Sequence, residues 1–150
     1  MHIKIEPILI TPSAISVETV TAYEQTHYRV LGDEPMTLHI GRQSAELATL
    51  HRAERVTCSA YITACNPWSE FVDDRINATR QSQLARELRH RGLVYRDGVG
   101  ESPSGSWPGE ASFLVLGLSL EATKVLGKRL NQNAVVWTGP DAVPTLVLLR

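Results

Sequence analysis

Asn66, Ser69, Asn77, Arg80, Trp107, Glu110, Ser112, Gln132 and Asn133 supply most of the chemistry this chain can offer. They bring amides, hydroxyls, one carboxylate, one guanidinium and one indole. That set suits recognition of a polar molecule with both donors and acceptors, such as a nucleoside, a nucleotide or an amino-acid derivative. Glu110 is the strongest candidate for an acid or base, and a helix starting at Ser69 would present its N-terminus to an anion. No nucleophile–base pair can be read, and His2, His27, His39, His51 and His90 are scattered, so none is assigned to a metal and no cofactor is expected.

Arg80 sets the sharpest condition. Val72, Ile76, Leu84 and Leu88 form an apolar stripe between Ser69 and Arg91. At about 100° per residue its centre falls on Arg80, with Asp73 and Asn77 beside it. A charge on a buried face must be paired. The expectation is a buried network holding Arg80, either an ion pair with Asp73 or Glu110 or a ligand contact. A surface helix rotated away from this stripe is the alternative.

The elements that must position these residues follow from periodicity and punctuation. Residues 1–15, broken by Pro7 and Pro12, read as an irregular arm. Residues 16–55 read as an N-terminal addition: a helix over 17–25, a hairpin whose strands flank Gly32-Asp33-Glu34-Pro35, and a helix capped by Ser44. Residues 56–64 alternate as a strand, with Cys58 and Cys65 near its ends, and the long helix runs over 69–91 until Gly92. A short strand at 93–96 leads into a Gly/Ser/Pro-rich loop over 97–109. Residues 111–118, apolar on both faces, read as a central strand. A helix capped by Ser119, a strand at 134–138 and an edge strand at 146–149 complete the chain.

Residues 56–138 thus run β-α-β-β-α-β, the order of a ferredoxin-like split βαβ sheet. The expected fold is α+β: a four-stranded antiparallel sheet with both helices on one face, the N-terminal hairpin and helices added, and an extra edge strand in 139–150, all as one domain. That topology gathers Asn66, Ser69, Trp107, Glu110, Ser112, Gln132 and Asn133 on one rim. Asn77 and Arg80 lie two to three turns down the helix, roughly 12–17 Å from its start.

Four stretches in order carry a resemblance: Tyr61-Ile62-Thr63-Ala64-Cys65-Asn66-Pro67-Trp68-Ser69, Asn77-Ala78-Thr79-Arg80, Trp107-Pro108-Gly109-Glu110-Ala111-Ser112-Phe113 and Asn131-Gln132-Asn133-Ala134-Val135. Over roughly residues 20–138 the chain resembles an uncharacterised bacterial domain-of-unknown-function family, number 3293. The resemblance implies recurring polar positions at Asn66, Asn77, Arg80, Glu110, Ser112, Gln132 and Asn133, and no activity.

Composition narrows the rest. The 43% apolar content fits a globular domain, and a net charge of -1 gives no support to a nucleic-acid partner. No apolar run is long enough for a membrane span, and Met1-His2-Ile3-Lys4-Ile5-Glu6-Pro7 lacks the pattern of a signal peptide, so a cytoplasmic location is expected. The run Arg86, Arg89, His90 and Arg91 reads as a solvated helix end. Gly98 to Gly105 lacks the GxxxxGK[ST] pattern and is rejected as a phosphate loop. Two cysteines without a CxxC pattern point to free thiols.

The leading expectation is a domain binding a polar small molecule or nucleotide at the rim. A metal-independent hydrolase or transferase using Glu110, with Arg80 stabilising negative charge, is the enzymatic alternative. The third reading is a protein-interaction or regulatory module, with a sheet edge open to a partner or to a second copy as a homodimer.

Overall fold

Four helices begin where short polar side chains can take a free first-turn N–H. Ser16 accepts from Thr19 N, Ser44 from Leu47 N, Asp73 from Arg75 N and Ser119 from Ala122 N. They start α1 (Val17–Gln25), α2 (Ala45–Ala53), α3 (Asp74–His90) and α4 (Leu120–Arg129) in a computed structural model that describes residues 13–150. The arm expected over 1–15 lies almost wholly outside the described residues.

The strands are β1 (His27–Val30), β2 (Met36–Leu38), β3 (Ser59–Ile62), β4 (Tyr95–Glu101), β5 (Glu110–Leu116), β6 (Ala134–Thr138) and β7 (Thr145–Leu148). They form one seven-stranded sheet in the order β2-β1-β4-β5-β3-β6-β7, and every neighbouring pair is antiparallel. The molecule is α+β. β7 adds to β6 as the edge strand expected, and the sheet is widened further because the N-terminal hairpin pairs onto β4.

Three of the boundaries that differ from the sequence reading bear on the site, each for a physical reason. The first concerns β4, which runs on through Gly98 and Gly100 where a loop was expected. Glycine weakens a lone strand, but here β1 and β5 hydrogen-bond β4 from both sides. The second is β3, which ends at Ile62 because Thr63 turns the chain out of the sheet. Its hydroxyl donates to Ala111 O at 2.7 Å and accepts from Cys65 N at 3.0 Å. Cys58 and Cys65 therefore both lie outside the strand, as free thiols.

The third is α3, which begins at Asp74 instead of Ser69. Pro67–Ser69 forms a single tight turn, with Trp68 at φ 58° and Ser69 at φ 59°, and left-handed residues cannot continue into a right-handed helix.

The sheet's two faces pack differently. On one, Leu84 and Leu88 of α3 and Leu126 of α4 meet Ala60, Ile62, Phe113, Val115 and Val135, so both helices share that face. On the other, Leu47 of α2 packs with Tyr28, Val30, Leu38, Leu114, Leu116 and Val136. Among the described residues no helix is long and apolar enough to cross a membrane.

Candidate binding cavity

Asn66 is the hub. It leaves β3 in the left-handed region at φ 45°, which asparagine tolerates better than most residues. Its backbone N–H donates to Asn77 Oδ1 at 2.9 Å, and Asn77 Nδ2 returns a bond to Asn66 Oδ1 at 2.8 Å. The same Oδ1 accepts from Val72 N at 3.1 Å. These bonds fix the amide's orientation, so that Nδ2 donates to Glu110 Oε2 at 2.8 Å.

A second set of bonds ties this turn to the end of α4. Gln132, buried, donates through Nε2 to Cys65 O at 3.0 Å, and Trp68 N donates to Asn131 O at 2.8 Å. Asn133 Nδ2 donates to Ser69 Oγ at 3.0 Å and Tyr23 Oη at 3.2 Å, and Tyr23 and Ser69 bond directly. Arg150 donates to Asn133 Oδ1 at 2.8 Å and stacks over the Trp68 ring at 4.5 Å.

Beside this scaffold lies a cavity of about 330 Å³ between the sheet and α1. Its floor follows from register. Gly100 lies between Tyr28 of β1 and Glu110 of β5, and Gly98 lies opposite Ser112. Gly100 leaves a space that a side chain would otherwise fill, whereas the room over Gly98 is taken by Tyr61. A Cβ built on Gly98 would stand 2.6 Å from the Tyr61 hydroxyl. That hydroxyl donates to Arg29 O at 2.7 Å, and Tyr28 donates to Tyr23 O at 2.5 Å. The two rings meet edge to face, 5.2 Å between centroids. Burial pushes both phenols above their ordinary range, so they stay neutral.

Glu18 and Glu110 are the charged residues lining the cavity; no lysine, arginine or histidine is among the described residues around it. Burial raises the Glu110 carboxyl above its ordinary value, and the Asn66 hydrogen bond opposes that rise. Its Oε1 has no partner among the described residues. Nor is Oε1 fully sealed: among the described residues the sealed side-chain atom left without a partner is Gln81 Nε2. A smaller cavity of about 230 Å³ shares Asn66, Phe71 and Glu110 and reaches Gln81. Burial also raises the Cys65 thiol, which disfavours its thiolate as a nucleophile. Among the described residues no group of three or more His, Cys, Asp or Glu could hold a metal ion.

Of the residues expected on the rim, Asn66, Ser69, Trp107, Glu110, Ser112 and Gln132 line the larger cavity. Asn77 braces Asn66 and borders the smaller one, and Asn133 braces Ser69 from behind. Arg80 departs from expectation. It is exposed, with no ion pair among the described residues. The buried face of α3 is Gln81, Leu84, Ala85 and Leu88. Val72 precedes the helix and Ile76 is 46% exposed; counting both while leaving out Gln81 and Ala85 drew the inferred stripe about 90° off.

Tyr23, Thr26, Tyr28, Tyr61 and Gly100 line the cavity and were missed in the sequence. The signal was Gly98-Val99-Gly100, two glycines at the strand period, beside a buried Tyr in each of two other strands.

Residues 62–135 match the model of a family described as "Protein of unknown function (DUF3293)", which the chain resembles over that span. No curated protein and no solved structure matches the chain.

Proposed function

We propose that this protein binds a small organic molecule in the cavity between α1 and the glycine-floored face of the sheet. One observation carries the reading: six polar or aromatic residues from three separate stretches of the chain converge on one cavity of about 330 Å³. That volume falls in the range of small-molecule sites, and mostly apolar walls with a few placed polar groups are their usual composition. The reading takes β3-α3-β4-β5-α4-β6 as a ferredoxin-like unit, supported by the neighbour order β4-β5-β3-β6 and by the shared helix face.

The chemistry favours a neutral or cationic molecule over a nucleotide. Phosphates call for arginine, lysine or backbone N–H cradles. The described lining supplies two carboxylates and no cation. Arg80, offered by the sequence for that purpose, lies outside both cavities.

The raised Glu110 carboxyl favours a second reading, in which it hands a proton to the bound molecule.

Ligand-observed NMR with a fragment panel of cationic, neutral and anionic members tests the binding reading. Wild-type protein is expected to select neutral and cationic fragments. Ala22→Trp, which places an indole in the cavity from α1, is expected to lose them while keeping the wild-type circular dichroism. Equal binding by both proteins overturns the proposal.

A further inference from the structure

We infer that the ligand of this cavity carries an ammonium group, held by Glu110 Oε1 and by the surrounding aromatic faces. The inference rests on the binding reading above and narrows it to a chemical class. Oε2 is occupied by Asn66 Nδ2, and Oε1 is open with no partner among the described residues. A buried carboxylate without a cation is costly, and an ammonium entering the cavity removes that cost by supplying both charge and donors.

The walls fit the same guest. Tyr23, Tyr28, Tyr61, Phe71 and Trp107 all line the cavity, and ring faces attract a desolvated cation. The Tyr28 and Tyr61 hydroxyls are already committed to backbone carbonyls, so these two side chains present rings to the cavity without a free donor. Glu18 stands exposed on α1 at the edge of the cavity and adds negative potential along the approach. Ser69 and Asn66 are likewise engaged with neighbouring protein groups. Donors in the lining are thus largely spent, and the leading unspent polar group is an acceptor.

The test uses two probes of nearly equal shape, 2-phenylethylamine and 2-phenylethanol, titrated into the protein by NMR or calorimetry. Wild-type protein is expected to bind the amine at least tenfold more tightly than the alcohol. Glu110→Gln, which keeps the side-chain shape, is expected to erase that preference by weakening the amine alone. Phe71→Leu changes a side chain that is 69% exposed and leaves the fold untouched. It is expected to weaken the amine several-fold and the alcohol little, which keeps the inference testable should the Glu110 variant fold poorly. Equal affinity of the two probes for wild-type protein overturns the ammonium assignment and leaves the cavity reading standing. Binding of neither probe also overturns it. A fragment panel that binds wild type and Ala22→Trp alike overturns the cavity reading as well.

Discussion

The two faces of the sheet use the same strands to opposite ends. Under α3 and α4, Leu84, Leu88 and Leu126 close against Ala60, Ile62, Phe113, Val115 and Val135 in a continuous apolar layer. On the other face α2 seals one end through Leu47, whereas beneath α1 the strands offer Gly100, Ser112 and Glu110 in place of bulk. One face converts apolar area into stability at roughly 25 cal/mol per Å². The other gives up part of that area and keeps a cavity with a carboxyl in it. Openness here comes from what the strands omit beneath α1.

The largest expected effect is on the sealed face. Leu88 is fully buried, so Leu88→Ala should cost about 2–5 kcal/mol, measured by urea denaturation. A loss below about 1 kcal/mol would show that this face is no better packed than the other. Next comes a test of the tight packing of Tyr61 beside the cavity. Gly98→Ala would drive its Cβ against the Tyr61 hydroxyl and Arg29 O, 2.6 and 2.7 Å away, and should cost about 1–3 kcal/mol. Shifted Tyr61 ring resonances would accompany it; an unperturbed ring and unchanged stability would refute the tight floor.

Glu110→Gln sharpens the contrast through pH. Burial raises the carboxyl's pKa in the folded chain, so the folded state holds the proton more tightly than the unfolded state. Its contribution is present at acid pH and is lost as pH rises from the ordinary carboxylate value through the raised one. Wild-type stability should fall relative to the Gln variant across that window. Parallel stability curves would place Glu110 in a water-like setting. Smallest of all, Arg80→Ala should change stability by no more than about 0.5 kcal/mol, since the side chain is exposed and belongs to neither face.

How much of this was legible in the sequence differs between the faces. The order of elements, the shared face of α3 and α4, and the convergence of Asn66, Glu110 and Gln132 followed from helical and strand periodicity plus crossover handedness. The open face did not follow. Gly98 and Gly100 carry loop propensity, and pairing with β5 and with β1, some seventy residues away in sequence, is what holds them in a strand. The error at Arg80 was of another kind. A stripe drawn over too long a segment counted Val72 and Ile76 as core, and the left-handed Trp68 and Ser69 that delay the helix leave no periodic trace.

Those left-handed residues also bear on how the protein folds. Asn66, Trp68 and Ser69 occupy a backbone region that costs non-glycine residues on the order of 1–3 kcal/mol each where surrounding contacts do not impose it. The contacts that impose it on Trp68 and Ser69 come from Tyr23, Asn131, Asn133 and Arg150, between 46 and 82 residues away along the chain. Local helices can form early, but this turn has no stability until chain segments from both sides have docked. The cavity wall is therefore among the last parts to set during folding, and its amides should be among the first to exchange when the native state loosens.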